Sequence, residues 1–229
     1  MNLNKLEKGK RVLVISPHPD DETIALGGSI AKLISQGHEV YILTVAGHLP
    51  PLYKRKDYDT TVKEAYKAYD ILGVSQSKFL EIPATMIDVE PIHKLNNKIS
   101  SVINEFKPKI VFCPFPDRHI DHRLIFESTL VGTRPVKDGK NIELVAAYET
   151  LSETHWNAPY IEPNFVPNLV IDISMHINKK IEALKCYKSQ ITLDEGPRSI
   201  KSIKSLATFR GTQSGFDYGE AFYIIRMTA

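Results

Sequence analysis

The sequence predicts an α/β fold, in which a mostly parallel sheet carries helices on both faces, as a three-layer sandwich in a single domain over residues 1–229. Residues 12–15 and 110–113 are apolar without alternation, which is typical of strands buried on both faces of a parallel sheet. Each run leads towards a segment whose apolar residues lie three or four apart, the spacing of an amphipathic helix. A chain of 229 residues that is 42% apolar can bury one such core.

Seven strands are predicted from runs of apolar and β-branched residues bounded by turn signals. They cover residues 12–15, 39–45, 78–82, 109–113, 142–149, 169–173 and 221–225. The first ends at Pro17 and the fourth at Pro114. The long connection 46–59 is either the rim of a binding site or a solvated surface loop. In the irregular segment 150–168 we expect Trp156 to anchor packing, with a place at the entrance of the site as the alternative.

Six helices are predicted from apolar residues at three- and four-residue spacing. They cover residues 22–36, 60–72, 88–106, 121–133, 174–188 and 197–209. Glu22 places a carboxylate in the first turn of the first helix, and Gly37 and Gly73 end the first two. Ser174 is the expected N-cap of the fifth helix, and Pro197 suits the first turn of the sixth. The first strand, helix and next strand form a β-α-β unit, for which a right-handed crossover is expected.

The composition excludes several classes of protein. Lysine and arginine total 29 against 27 for aspartate and glutamate, so the net charge gives no reason to expect nucleic acid or an anionic membrane as a partner. The two cysteines, Cys113 and Cys186, are too few for a disulfide scaffold or a thiolate zinc site. This number indicates a reducing compartment. Cys113 is expected to be a buried strand thiol. The N-terminal apolar run is too short for a signal peptide or a membrane span. We therefore expect a cytoplasmic enzyme or binding protein.

Titratable side chains follow two of the predicted strands where each strand ends. The first loop reads Pro17-His-Pro-Asp-Asp-Glu22 and the second reads Pro114-Phe-Pro-Asp-Arg-His-Ile-Asp-His-Arg123. In open α/β sheets, ligands bind at the carboxyl ends of the strands. His18 and Asp21 can converge on one ion, and His119 and His122 offer two further imidazoles. Because two histidines and one carboxylate with an open position form a catalytic zinc set, the sequence predicts a divalent metal site.

These motifs resemble the PIG-L-type, LmbE-like family of metal-dependent sugar N-deacetylases, typified by N-acetylglucosaminyl-phosphatidylinositol de-N-acetylase. The resemblance covers nearly the full chain and rests on Pro17-His-Pro-Asp-Asp-Glu22, Gly27-Gly28, His119-Ile-Asp-His122 and the run from Phe209-Arg-Gly to Glu220-Ala-Phe222. It implies a Rossmann-like sheet and assembly of the chain into a homo-oligomer. It also implies a site with these residues: metal ligands His18, Asp21 and His122, general base Asp20, and His119 to stabilise the tetrahedral intermediate.

The expected reaction is removal of the N-acetyl group from a GlcNAc-type amino sugar, free, glycosidic or nucleotide-linked, with release of acetate. Zinc, or another divalent metal, would lower the pKa of water towards ~7. Asp20 would take the proton and return it to the departing amine, while a protonated His119 faces the oxyanion. Asp121 is expected to hold His119 in its charged form. The cations available for a phosphate or carboxylate of the substrate are Lys54, Arg55, Arg118, Arg123 and Arg210.

Three other interpretations are open at this point. Asp20 can be a helix cap and Asp21 a solvated residue, with both histidines of the second loop on the surface. The pair Gly27-Gly28 allows a nucleotide-binding module without hydrolase activity, although the sequence holds no Gly-x-Gly-x-x-Gly. A metal-dependent amidase or phosphoesterase for a non-sugar small molecule would use similar ligands, and a phosphoesterase usually adds a second metal.

Overall fold

The computed structural model describes residues 9–192 and 195–228, and its strands form one sheet. The strands are β1 (Arg11–Ser16), β2 (Glu39–Gly47), β3 (Gln76–Pro83), β4 (Ile110–Pro114), β5 (Leu144–Tyr148), β6 (Leu169–Asp172) and β7 (Gly219–Met227). All seven predicted strands are therefore confirmed. The N-terminal residues 1–8, on which the expectation about a signal peptide rests, lie outside the described residues.

The helices of the described chain also correspond to the six predicted ones. They are α1 (Asp21–Ser35), α2 (Arg55–Leu72), α3 (Ile92–Phe106), α4 (Ile120–Gly132), α5 (Ile177–Leu184) and α6 (Ile200–Thr212). Short 3-10 turns occur at Ile87–Val89, Lys137–Asn141 and Thr154–Trp156. Over residues 9–192 and 195–228, no helix combines the length and the hydropathy that crossing a membrane requires.

The sheet is mostly parallel, as predicted, with the strand order β3-β2-β1-β4-β5-β7-β6. The first five strands pair in parallel, and β7 runs antiparallel to both β5 and β6. The strand β1 lies between β2 and β4, with Val12 opposite both Val40 and Ile110. From β1 the strand order continues through β2 to β3 on one side, and from β4 it continues to β5 on the other. The carboxyl ends of β1 and β4 therefore form the switch point where open α/β sheets bind ligands.

Both faces of the sheet are covered, which confirms the three layers. Val12 and Val14 pack in one apolar cluster together with residues of α1, α2 and α5. Leu13 and Ile15, which point to the opposite face, pack in a second cluster with residues of α3 and α4. Because successive strand residues face opposite sides, a strand that is apolar throughout requires helices on both sides.

The predicted start of α2 was wrong by five residues. The helix begins at Arg55 rather than at residue 60, and β2 extends to Gly47, so the connection between them is much shorter than predicted. Tyr58 is buried in the first turns of α2, and a Cβ atom at Gly47 would lie 2.4 Å from the Cε2 atom of its ring. The charged run before Tyr58 is therefore the solvent-facing side of a helix. The sequence does not distinguish this from a loop, because the distinction depends on what the buried side of the helix contacts.

Other helix ends differ from prediction for local reasons. The helix α3 starts at Ile92, directly after Pro91, instead of at residue 88. Ser174 does not cap α5, because its hydroxyl donates to Asp172 at 2.7 Å and the helix runs only from Ile177 to Leu184. The cap of α6 is Ser199, whose Oγ atom accepts a hydrogen bond from the N–H of Ser202.

The helix α1 is kinked at Leu26, where φ is −136° and ψ is 25°. The carboxylate of Glu220, on β7, accepts hydrogen bonds from the N–H groups of Gly28 at 2.9 Å and Ser29 at 2.6 Å just beyond the kink. The ammonium group of Lys180 donates to the same carboxylate at 2.6 Å, and both side chains are at most 3% exposed. This buried pair fixes α1, and with it the loop that follows β1, against α5 and β7.

The pair Gly27-Gly28 serves this packing rather than a nucleotide. A Cβ atom at Gly28 would lie 2.6 Å from Cδ1 of Ile173, and one at Gly27 would lie 3.2 Å from Cγ of Lys180. Glycine is required because the backbone of α1 lies against the segment that leads from β6 into α5. The glycine pair therefore gives no support to the nucleotide-binding alternative.

We expect Glu220→Ala to lower the free energy of unfolding by about 3–5 kcal/mol, because it leaves the Lys180 ammonium group buried without its carboxylate. Urea denaturation of the purified variant measures this loss. The control is Glu105→Ala, which removes the exposed ion pair of Glu105 with Lys78 at 2.8 Å and should cost less than about 1 kcal/mol. Equal losses in the two variants would contradict a special role for the buried pair.

Candidate metal and catalytic site

The loops that follow β1 and β4 meet because the two strands are neighbours in the sheet. His18 Nδ1 lies 3.0 Å from Asp21 Oδ2, and His122 Nε2 lies 3.5 Å from the same oxygen. One ligand atom from each of these three residues lies within 4.8 Å of the others, close enough for one ion. The structure thus brings together His18, Asp21 and His122, the set that the family resemblance implied.

Two further carboxylates orient the imidazoles. Asp121 Oδ2 lies 2.9 Å from Nε2 of His18, and Asp117 Oδ2 lies 2.9 Å from Nδ1 of His122. Each contact occupies one ring nitrogen and directs the other towards Asp21. Histidines that bind metals are commonly held in this way by a carboxylate on the second nitrogen, which fixes both the tautomer and the orientation of the ring.

The donor atoms fit a divalent metal. Nε2 of His122 and Oδ1 of Asp21 are buried, and neither has a hydrogen-bond partner within residues 9–192 and 195–228. Oδ1 of Asp21 lies 3.7 Å from Nη2 of Arg198. Buried polar atoms are normally satisfied, so two unpartnered atoms on neighbouring residues that could hold an ion indicate a ligand there. His18, His119 and Asp121 form a second possible group, but His119 is partly exposed and Nε2 of His122, in the first group, is fully buried without a hydrogen bond. The group with Asp21 is therefore the better metal site.

Protons balance the charges of this group. Burial lowers the pKa of His18 and His122, but their contacts with Asp121, Asp117 and Asp21 outweigh burial and raise the pKa values to about 9 and about 10. Burial raises the pKa of Asp21, yet His122 and His18 outweigh it and hold this pKa well below its usual range. Both rings are thus imidazolium ions beside the Asp21 carboxylate, and binding of a metal must release a proton from each ring.

Asp20 lies beside these ligands without belonging to either group. Its backbone has φ 139°, a conformation that only glycine adopts easily, and its N–H donates to Glu22 Oε2 at 3.2 Å. Arg198 Nη1 donates to its Oδ2 at 2.8 Å. Burial raises the pKa of Asp20 to about 7 even though Arg198 acts in the opposite direction. A carboxyl group with this pKa can take up and release a proton near neutral pH.

His119 is in the same cavity, but its charge differs from the expectation. Burial and the neighbouring rings of His18 and His122 lower the pKa of His119 to about 4, so its imidazole is neutral at pH 7. Its Nδ1 accepts the N–H of Asp121 at 3.2 Å, which assigns the ring proton to Nε2. The expected imidazolium is thus corrected to a neutral ring that still has one N–H to donate.

The expected role of Asp121 changes with it. The Oδ2 atom of Asp121 lies 4.0 Å from Nδ1 of His119, whereas it makes hydrogen bonds to His18 and to the N–H of Thr85. The carboxylate of Asp121 therefore holds His18, and only its backbone N–H contacts His119.

Sequence reasoning missed Asp117 and Arg198 as site residues. Asp117 stands in the second loop, five residues before His122, where its Oδ1 also accepts the N–H of His119 at 3.0 Å. Its place in a loop already rich in metal-binding residues is a signal that could have identified it. Arg198 lies just before α6, far from both motifs, and no pattern in the sequence connects it to Asp20.

These residues open into a pocket of about 170 Å³. Its lining consists of His18, Pro19, Asp20, Gly47, His48, Tyr53, Tyr58, Thr61, Ala84, Thr85, His119, Glu153, Gln190 and Arg198. Four of these residues come from the predicted loop 46–59, so that stretch does contribute to the rim of the cavity.

Trp156 is 57% exposed, so the expectation that it anchors packing was wrong.

The cations that were expected to receive an anionic group do not line this pocket. Four of them instead pair with carboxylates: Arg55 with Asp59 and Glu81, Arg118 with Glu153, Arg123 with Glu162, and Arg210 with Glu149. Arg198 is the one lysine or arginine of the described chain that lines the pocket, and Asp20 neutralises it.

Comparison with known proteins connects this site to deacetylases. The PIG-L family, described as GlcNAc-PI de-N-acetylase, matches residues 13–131. A diacetylchitobiose deacetylase of Thermococcus kodakarensis is 28% identical, over 94% of this chain and 83% of its own length. A probable N-acetyl-alpha-D-glucosaminyl L-malate deacetylase 2 of Bacillus cereus is 27% identical, over 89% of this chain and 94% of its own.

Solved structures show the same fold. The N,N'-diacetylchitobiose deacetylase from Pyrococcus horikoshii has a TM-score of 0.76 at 24% identity, covering 97% of this chain and 86% of that one. GalB, the 4-carboxy-2-hydroxymuconate hydratase from Pseudomonas putida, has a TM-score of 0.76 at 18% identity, covering 96% of this chain and 98% of that one. Since a hydratase shares the fold, the reaction has to be argued from the site.

We expect Asp117→Asn to weaken metal binding by about 10–100-fold, because the amide holds the His122 ring less firmly and lowers its basicity. Competition with a chromogenic chelator measures the affinity for Zn²⁺. The control is Asp138→Asn, which changes an exposed aspartate outside the site. Unchanged affinity in Asp117→Asn would show that Asp117 does not support the ligand.

Proposed function

Because the chain belongs to the PIG-L family of GlcNAc-PI de-N-acetylases, we propose that it is a metal-dependent hydrolase that removes the N-acetyl group from an N-acetylated amino sugar and releases acetate. The observation that carries the proposal is the convergence of His18, Asp21 and His122 beside Asp20, a buried carboxyl group that is not part of the ligand set. This arrangement provides both a metal site and a proton carrier in one pocket.

The proposed metal is zinc, held by His18, Asp21 and His122. When bound, it would supply Lewis-acid activation of water and of the amide carbonyl group. Two nitrogen ligands and one carboxylate are a set found in zinc hydrolases, and they leave a coordination position open. Asp117 and Asp121 would keep the two rings in place through the contacts described above.

In the proposed reaction, Asp20 takes the proton of the attacking water and later delivers it to the nitrogen of the departing amine. The Arg198 guanidinium group holds one oxygen of this carboxylate, and Glu22 holds the strained backbone, so the proton carrier keeps its position. His119 donates its Nε2–H to the oxyanion that forms on the acetyl carbon. A donor of this kind typically contributes about 10²–10³ in rate.

The charge of the pocket supports an uncharged substrate. The guanidinium group of Arg198 is neutralised by Asp20, and Glu153 contributes a further carboxylate to the wall. A phosphate or carboxylate on the substrate would meet no unpaired lysine or arginine among the described lining residues. We therefore propose a neutral N-acetyl amino sugar or its glycoside, and not a nucleotide-linked sugar.

The location and the assembly of the protein are also proposals. Cys113 and Cys186 are free thiols, which supports action in a reducing compartment such as the cytoplasm. Homo-oligomerisation is implied by the family resemblance and stays a prediction, which sedimentation of the purified protein would test.

A screen for acetate release over neutral and anionic N-acetyl sugars, combined with elemental analysis of the purified protein, tests the proposed function. We expect about one zinc per chain and turnover of the neutral sugars. Two metals per chain, with phosphatase activity and no acetate release, would instead favour a phosphoesterase.

We expect Asp20→Asn to retain its metal and to lose turnover by about 10²–10⁴-fold, because an amide cannot carry the proton. The asparagine oxygen still accepts the hydrogen bond from Arg198, so the loop should keep its conformation. Acetate release and elemental analysis of the same preparation give the two readouts. Full activity in this variant would remove Asp20 from the role of base.

The matched variant is Asp21→Ala, one residue further along the loop. It should lose both metal and activity, because it removes the carboxylate that faces both imidazoles. Undiminished zinc in purified Asp21→Ala would show that the metal, if present, is bound elsewhere. The two adjacent aspartates thus separate loss of the proton carrier from loss of the metal.

A further inference from the structure

The pocket is too small to enclose a ligand of two sugar rings. Its volume of about 170 Å³ is well below the roughly 300–1,000 Å³ that encloses a ligand of drug size. If the acetamido ring reaches the metal site, as the proposed function requires, the next ring of a glycoside must lie outside the mouth of the pocket.

An exposed aromatic side chain lies beside one wall of the pocket. Glu153 lines the pocket, and its carboxylate pairs with Arg118 at 2.5 Å. The guanidinium group of Arg118 in turn lies 5.8 Å from the ring centroid of Trp156. The indole is 57% exposed, and no hydrogen bond joins its N–H to any residue that the structure describes. It therefore offers a solvent-facing indole ring and a free N–H donor that are linked to the pocket wall through Arg118 and Glu153.

The position of Trp156 is fixed by the residues around it in the turn Thr154–Trp156. The Thr154 hydroxyl donates to Asp117 Oδ2 at 2.9 Å, the same oxygen that holds His122. His155 Nε2 lies 2.9 Å from Glu149, and the N–H of Trp156 donates to the carbonyl of Glu153 at 3.1 Å. These contacts fix the backbone of the turn that carries the indole relative to Asp117 and His122, and a pre-ordered surface lowers the cost of binding.

We propose that Trp156 forms an outer subsite on which the second sugar ring of a neutral oligosaccharide or glycoside stacks while the N-acetylated ring occupies the pocket. The inference deepens the proposed function and rests on it. Aromatic rings supply large apolar contact area at low entropic cost, and the indole N–H hydrogen-bonds a sugar hydroxyl. The occupant is a carbohydrate rather than an anionic group, because Glu153 already neutralises Arg118 at this edge.

Kinetics with one and with two sugar rings test the subsite. In Trp156→Ala, the KM for N,N'-diacetylchitobiose should rise about tenfold with kcat unchanged, while both constants for N-acetylglucosamine stay as in the parent protein. Trp156→Phe, which keeps an aromatic ring, should restore most of the difference. Equal effects of Trp156→Ala on the two substrates would overturn the proposal.

A control on the same segment is Tyr160→Ala, which removes a fully exposed aromatic side chain. Its kinetics with both sugars should match those of the parent protein. A rise in the KM for the disaccharide as large as that of Trp156→Ala would assign the effect to the segment as a whole and overturn the assignment to Trp156.

A second readout does not require hydrolysis, because the chain contains a single tryptophan. In Asp20→Asn, which retains Trp156, titration with N,N'-diacetylchitobiose should change the tryptophan emission to saturation, and N-acetylglucosamine should leave it unchanged. Saturable emission without acetate release from the parent protein would contradict the proposed function while supporting the subsite. Calorimetric binding of the disaccharide without a change in tryptophan emission would overturn the proposed subsite at Trp156. Emission that depends on protein concentration without sugar would instead place a second copy at Trp156.

Discussion

The parallel pairing of β1 with β4 is the constraint on which the site depends. Residues 12–14 lie opposite residues 110–112, so the loops that leave the two strands emerge side by side at the same edge of the sheet. The first loop carries His18 and Asp21 and the second carries His122, and both groups of residues that could hold an ion combine the two loops. The buried Lys180–Glu220 pair joins the kinked α1, which follows the first loop, to α5 and β7.

Several buried carboxylates surround the candidate metal site, and each makes different contacts. Asp117 and Asp121 orient the rings of His122 and His18, Asp21 faces both rings, and Asp20 is held by Arg198. Burial of so many acids is tolerated because the imidazoles carry protons that neutralise them. Burial raises the pKa of Asp20 to about 7 against the opposing charge of Arg198, and a pKa near neutrality is the property that a proton carrier needs.

The turn from Thr150 to Asn157 connects the chemistry to the surface. Glu153 forms part of the pocket wall, and Thr154 holds Asp117, which in turn holds His122. Trp156, at the end of the same turn, faces solvent. A single short segment thus connects the Asp117–His122 contact to an exposed aromatic ring.

The sequence by itself determined the strands, the six helices within a few residues, and the two loops that hold His18, Asp21 and His122, because apolar periodicity and metal-binding residue types are local properties of the chain. The early start of α2, the positions of Asp117 and Arg198, the neutral form of His119 and the exposure of Trp156 were decided only by the tertiary structure. Each of these depends on which distant segments lie against the residue: Arg198 meets Asp20 only after α6 has packed beside α1, and the charge of His119 follows from its burial beside two other imidazoles.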